Sequence, residues 1–302
     1  VKTWREAVQR YKKESAWRPS TRKRNEFSLK FFDRLNPVAV GAITADVVRA
    51  ARDYVDRSQR PASANRIMAV FRGVLRACIR WGWLTHAPPV PMVHTPQKEA
   101  AVLDGSATAR LVAELPGHLR GPLVFSIMTG LRMANVRDLD WSQVDLENAR
   151  VTVPASLYKT KRDHSLPLGV EAAKLLTALP HRTGRVFLYD GRPITGTFNT
   201  RAFRNARKRA HLDGLRWHDL RHTFASWLAT AGASDRVLQS MGGWSSPRMV
   251  ARYSHLRTAD LRPYADFVGT IMVTGGQGPK AENAAKPLEN MVPGRGLEPP
   301  TR

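Results

Sequence analysis

Thr85-His-Ala-Pro-Pro-Val-Pro-Met-Val-His-Thr-Pro-Gln97 is the stretch that organises the chain. It contains Pro88, Pro89, Pro91 and Pro96. Proline lacks a backbone N–H and its ring clashes with the preceding helical turn, so the run reads as extended linker. Different patterns flank it. The 302 residues accordingly divide into a helical N-terminal domain at 1–86, a Pro-rich linker at 87–100, a larger domain at 101–273, and a tail at 274–302. That tail has little to bury and reads as disordered.

Upstream of the prolines every segment reads as helix. Thr3–Ser15 and Thr21–Leu35 each open on a Thr N-cap, and Asn36-Pro37 stops the second. Thr44 caps Ala45–Arg57. Pro61 and Ser63 introduce a long helix reaching about to Trp83, in which Ile67, Phe71, Val74 and Cys78 recur at helical spacing and form a core stripe. Arg72, Arg76 and Arg80, each four residues apart, occupy another face. Such a row suits DNA phosphates, and equally a solvated helix face.

Downstream the pattern is mixed. Ser106–Leu115, Arg120–Gly130 and Arg132–Leu139 read as helices. Trp141–Val144, Arg150–Val153 and His164–Leu168 are β-prone and predict a small antiparallel sheet, with a turn at Glu147-Asn148 and a hairpin loop at Tyr158–Asp163. Helices return at Val170–Leu179, Thr197–Ala210 and Asp219–Ala231, then near Ser234–Met241, Pro247–Ser254 and Asp260–Ile271. The expected fold class is mainly α with a small antiparallel β-sheet.

The chain is 42% hydrophobic and 24% charged, ordinary for a globular protein. No apolar run approaches the roughly 18–20 residues of a membrane span, and the N-terminus lacks the apolar region of a secretory signal. The chain opens on Val1 rather than Met, which leaves open a preceding segment such as an arm-binding domain. A single cysteine, Cys78, excludes a disulfide within the chain and favours a cytoplasmic reading. Its place on the apolar stripe makes it a small buried hydrophobe rather than a reactive thiol.

Charge is the first functional clue. Lys and Arg number 48 against 25 Asp and Glu, a formal net charge of +23. A chain so basic seeks a polyanion, and without an amphipathic membrane anchor that partner is nucleic acid. Residues 1–97 hold 19 Lys and Arg against 7 Asp and Glu, an excess of 12 in a third of the chain.

Five short motifs carry candidate chemistry. In His218-Asp-Leu-Arg221-His222, His218 and Arg221 project from one helical face, where imidazole and guanidinium suit a phosphate. His218 and His222 also have the spacing of a helical zinc pair, but the intervening Arg221 repels a metal and no Glu lies between them. Thr129-Gly-Leu-Arg132 places an Arg just past a helix break that Gly130 permits. The Tyr158–Asp163 loop carries Lys159, Lys161 and Arg162. Met241-Gly-Gly-Trp244 precedes Arg252-Tyr253-Ser-His255. Each has a bland reading: a capped helix start, a packing tryptophan, a half-buried structural tyrosine.

Together, in this order over roughly Leu103–Leu256, and with Leu166-Pro167-Leu168 following the lysine hairpin, these motifs resemble the tyrosine recombinase (phage integrase) family. The resemblance implies a helical core-binding domain followed by a mixed α+β catalytic domain. It implies that Arg132 and Arg221 clamp the scissile phosphate and that Tyr253 attacks phosphorus. Lys159 would protonate the leaving 5′ oxygen, with Lys161 as the alternative acid and otherwise a DNA contact. His218 would assist proton transfer at Tyr253, and Trp244 would donate its indole N–H to a phosphate oxygen. No role is assigned to His255.

The parts suit the chemistry. A phenol with a pKa of about 10 is a poor nucleophile until a base and a cationic field assist it, and two arginines and a lysine supply that field without metal, other cofactor or ATP. Asn135 departs from the pattern, because many members carry an acid there; Asp138, one turn on, is the substitute. The implied partners are double-stranded DNA, a homotetramer on paired DNA sites and accessory DNA-bending proteins, with no membrane. The implied setting is a bacterial or phage-encoded cytoplasmic protein, nucleoid-associated when bound to DNA. The competing readings are a type IB topoisomerase-like strand transferase and a catalytically silent DNA-binding regulator.

Overall fold

In the computed structural model, which describes residues 1–96, 99–157 and 162–253, the chain divides into two units, Val1–Lys98 and Glu99–Arg302. Each has its own apolar core.

The first unit is helical. Thr3 starts α1 (Trp4–Glu14) with a capping box in which its hydroxyl accepts from the Glu6 N–H and the Glu6 carboxylate accepts from the Thr3 N–H. The second helix departs from expectation. α2 runs Pro19–Lys30, opened by proline, whose fixed φ suits a first helical turn, so Thr21 lies inside it; Asp33–Leu35 is a separate 3-10 turn. Thr44 caps α3 (Ala45–Asp56) as expected. α4 runs Pro61–Arg80 and buries Ile67, Phe71, Val74 and Cys78. Trp4, Phe32 and Phe71 stack at its centre, with Phe71 4.7 Å from Trp4 and 4.6 Å from Phe32 between ring centroids. Burial pushes the Cys78 thiol up to about 11, so it stays protonated as a packing group.

The proline run has no regular secondary structure, yet part of it is strapped down. Asn65 donates to the Val93 carbonyl at 2.6 Å and accepts from its N–H at 3.0 Å, while Ala87 and Val90 pack on the first core. Prolines keep the segment extended, and an extended segment exposes backbone groups that a side-chain amide can pair.

The second unit begins with α5 (Gly105–Glu114), capped by Asp104, and α6 (Gly117–Thr129), which ends on left-handed Gly130. The short α7 (Met133–Arg137) follows. Trp141–Gln143, expected as strand, is a 3-10 turn, because Asp140 and Gln143 form a capping box around it. The sheet orders β1 (Val144–Asp145), β2 (Arg150–Val153) and β3 (His164–Pro167) antiparallel, with Val151 opposite Val144 and Leu166, and Val153 opposite His164. Asp163 accepts from the Ala155 N–H at 2.7 Å and pins the base of the hairpin.

α8 (Val170–Thr177) packs on α6 and buries Ala172 and Leu176 in the core. A small hairpin, β4 (Leu188–Tyr189) with β5 (Arg192–Pro193), adds to the expected elements; its two-residue strands are too short for alternation to register. α9 starts at Arg201 and ends at Arg209, because Thr200 rather than Thr197 supplies the cap. α10 (Asp219–Thr230) packs on α6, and α11 (Asp235–Gly242) packs on α10. Pro247–Met249 and Ala251–Tyr253 form two 3-10 turns rather than one helix. The expected Asp260–Ile271 helix and the 274–302 tail lie outside the described residues.

Candidate active site

Gly130 and Gly242 build the site around Arg221. At Gly130 the chain leaves α6 with φ +62°, where an added Cβ would lie 2.2 Å from the Phe224 ring. Its carbonyl accepts from Arg221 Nη1 at 2.5 Å. At Gly242 an added Cβ would lie 1.9 Å from the Trp244 ring, and its carbonyl accepts from Arg221 Nη2 at 2.5 Å. One guanidinium, 3% exposed, thereby joins three motifs that are far apart in sequence. The Trp244 indole lies over it, 4.2 Å from its central carbon, a cation–π contact.

Arg132 stands immediately before α7 in extended conformation, so its side chain is launched from the break that Gly130 makes. Its field reaches the same place as that of Arg221: both arginines depress His218 and His164, after burial, which is the largest cause in each case. His218 stands where α10 begins, placed by Trp217, whose indole N–H donates to Ser126 at 3.2 Å from within a cage of Phe198 and Phe203. Asp219, 1% exposed, accepts from the Arg216 guanidinium at 2.7 Å and from the Arg216 N–H at 2.8 Å, fixing the first turn.

Tyr253 closes the arrangement. Its ring lies 5.9 Å from Trp244 and 5.9 Å from His222, and its hydroxyl meets His222 Nδ1. Burial raises its pKa, opposed by Arg252 and Arg221. His222 is pushed down to about 4, first by burial and then by His218, so it is neutral at pH 7.

The structure thus gathers Arg132, His218, Arg221, Trp244 and Tyr253. Lys159 and Lys161 lie outside the described residues, as does His255. Arg76 and Arg80 are exposed on α4 and Arg72 is half-buried there, all in the first unit. Asp138, the expected substitute for an acid beside Arg132, is corrected by the structure: it pairs with Arg137, accepting from Nε at 2.8 Å and Nη2 at 2.5 Å. The proximity of sequence neighbours decides that pairing. Asn135 itself is half-buried, and its amide nitrogen finds no acceptor among the described residues.

Three groups escape sequence reasoning. His222 enters it only as a zinc ligand. His164, 7% exposed, occupies an inward position at the start of β3 and bonds the Met241 backbone; a histidine at an inward strand position is the available signal. On α9, Arg201, Arg204 and Lys208 are exposed opposite buried Phe203 and Ala206, a basic row readable from 3.6-residue spacing.

Comparison with known proteins bears on family and fold. Residues 102–260 match the model of the phage integrase family. The chain is 33% identical over 222 residues to the integrase of Salmonella phage P22, covering 68% of this chain and 57% of that protein. It is 26% identical over 215 residues to the tyrosine recombinase XerC of Xanthomonas campestris pv. campestris, covering 66% of each. It therefore spans little more than half of the P22 integrase. Among solved structures, the Tn1549 transposon integrase in complex with transposon right end DNA superposes with TM-score 0.72 at 15% identity, covering 89% of this chain and 100% of that one. A lambda integrase dimer bound to a COC′ core site gives 0.70 at 21%, covering 85% and 97%. At such identities these structures speak to fold. The family match over more than half of the chain speaks to kinship: this chain belongs to the phage integrase family of tyrosine recombinases.

Proposed function

We propose that the chain is a site-specific DNA recombinase that cleaves and rejoins DNA through a 3′-phosphotyrosyl intermediate on Tyr253. The observation that carries this reading is Arg221, buried, held by the carbonyls of Gly130 and Gly242 and stacked under Trp244, with Tyr253 against that same indole. A carbonyl satisfies a guanidinium donor without cancelling its charge. Such a cation beside a phenol suits phosphoryl transfer better than simple binding, which needs no nucleophile.

Arg132 and Arg221 hold the non-bridging phosphate oxygens. The Tyr253 oxygen bonds phosphorus, the bond from phosphorus to the 5′ oxygen breaks, and that oxygen takes a proton from Lys159, with Lys161 as the alternative acid. His218 assists the transfer of the Tyr253 proton, and the Trp244 indole N–H contacts the phosphate. The phosphotyrosyl bond conserves the energy of the broken one, so rejoining to a new 5′ hydroxyl needs no ATP. The helical unit, with Arg72, Arg76 and Arg80, grips the DNA core, and Arg201, Arg204 and Lys208 add phosphate contacts on the second unit. Homotetrameric action on two duplexes is part of the proposal, supported by a lambda integrase tetramer solved on a Holliday junction, as is recruitment of DNA-bending proteins. The protein acts in the bacterial cytoplasm, on the nucleoid. The names of its relatives, integrases and recombinases, favour this over a topoisomerase or a silent regulator.

The test starts from nicked duplexes randomised around the nick, from which the wild-type chain covalently captures its site. The captured duplex then forms a protein–DNA adduct with wild type and none with Tyr253→Phe. Adduct formation by Tyr253→Phe would overturn the assignment.

A further inference from the structure

Three groups share one face of α10: His218, Arg221 and His222, at positions i, i+3 and i+4. The histidine whose ring nitrogen meets the Tyr253 hydroxyl is His222, through Nδ1. The two rings lie 5.9 Å apart at 45°, and the His218 ring stands edge-on to His222 at 5.2 Å.

We propose that His222 holds the phenolic proton of Tyr253 and accepts it as the tyrosine oxygen bonds phosphorus. This rests on the reading of Tyr253 as nucleophile. It adds a catalytic residue that the family motif, centred on His218 and Arg221, leaves unassigned here.

The direction of the hydrogen bond follows from the surroundings of both partners. Burial raises the phenol's pKa, so at neutral pH Tyr253 is an O–H donor. Burial and the neighbouring His218, Arg252 and Arg216 disfavour a charged His222, against the opposing pull of Asp219. A neutral imidazole offers one acceptor nitrogen, so Nδ1 accepts and Nε2 carries the ring proton. The bond therefore aims a phenol lone pair away from the imidazole while keeping the proton on the side where a base waits.

The step balances. As the oxygen–phosphorus bond forms, the proton moves to Nδ1 and His222 becomes an imidazolium. The negative charge of the pentacoordinate phosphate offsets the cations that disfavour that imidazolium in the free protein. When a 5′ hydroxyl later attacks phosphorus, Tyr253 leaves and recovers its proton from Nδ1. The leaving 5′ oxygen is protonated separately, so loss of His222 is chemically distinguishable from loss of Lys159.

The experiment uses the full chain and the captured nicked duplex in single-turnover adduct formation. His222→Gln and His222→Phe are expected to slow adduct formation by about 10²–10⁴-fold, the range of a general base, with duplex binding near wild type. A duplex with sulfur in place of the bridging 5′ oxygen has a leaving group that needs no proton; it should restore Lys159→Ala and leave His222→Gln slow. Unchanged rates in both His222 variants, or rescue of His222→Gln by the sulfur substrate, would overturn the inference. Folding of the variants is bypassed by ¹⁵N-histidine NMR of the free protein: the His222 Nδ1 resonance should move in Tyr253→Phe, and no movement overturns the proposal. An adduct that persists in Tyr253→Phe instead removes the underlying reading, and this inference with it.

Discussion

Arg52 in the first unit and Arg221 in the second are both buried, at 5% and 3% exposure, and they are held in different ways. Arg52 donates from Nε to the Asp56 carboxylate at 2.7 Å and from Nη1 to Asn65 at 2.8 Å. Arg221 donates to two backbone carbonyls. A carboxylate partner cancels the charge that burial makes costly, and the result is a strut between α3, α4 and the proline run. A carbonyl satisfies a donor without itself supplying a counter-charge. Under the proposed function, the difference is that between an arginine that braces helices and one placed to face the scissile phosphate.

Removing each arginine is the sharpest way to break that contrast. Arg221→Met should lower the single-turnover rate by about 10²–10³-fold or more, as when a fixed donor to a developing anion is lost. Arg52→Met should instead lower the unfolding free energy by about 1–3 kcal/mol, since Asp56 is partly exposed, and leave the rate of folded protein unchanged. A rate loss in Arg52→Met equal to that in Arg221→Met would dissolve the distinction.

The glycines that hold Arg221 come next. Gly130→Ala meets both a left-handed backbone and the Phe224 ring, and should destabilise the protein by about 2–4 kcal/mol in chemical denaturation. Gly242→Ala forces the Trp244 ring off its position over Arg221, and should lower the rate more than the stability.

The site's histidines give a smaller, pH-dependent effect. His222 titrates at about 4 when folded, against about 6.5 unfolded, so below pH 6.5 the unfolded chain binds the extra proton. Its stabilising contribution is complete above about pH 6.5 and is lost as pH falls toward 4; His164 and His218, also lowered, act in the same direction. Between pH 7 and 4 the unfolding free energy of His222→Gln should fall by about 1–2 kcal/mol less than that of wild type, after allowance for partial exposure.

The smallest effects per residue lie on the basic rows. Replacing Arg72, Arg76 and Arg80 with alanine should reduce the salt slope of duplex binding by about 0.9 for each phosphate no longer neutralised, with little sequence dependence. The same measurement on Arg201, Arg204 and Lys208 tells which row bears on the backbone; an unchanged slope identifies a merely solvated face.

Much of the fold was legible because its signals are local. Thr3, Thr44 and Gly130 start or stop helices through their own backbone partners, and the stripe of α4 needs only periodicity. The misreadings share a cause. Pro19 outcompeted Thr21 as a helix start, and a capping box turned Trp141–Gln143 out of the sheet, where β propensity alone pointed inward. In the site, Arg132, His218, Arg221, Trp244 and Tyr253 were recognisable from short strings. The partners of those residues were not: Asp138 pairs with its neighbour Arg137, and Tyr253 meets a histidine 31 residues away.

By itself the sequence determined a basic, mainly helical chain broken at a proline run, and a set of cationic and phenolic groups in the order of one family. Residue type, charge and periodicity are local properties and survive without coordinates. Only the tertiary structure decided that Arg221 is held by carbonyls from two distant glycine turns, and that His222 faces the phenol. Those facts depend on how α6, α10 and α11 pack and on which way each side chain leaves its backbone, and no spacing along the chain encodes that direction.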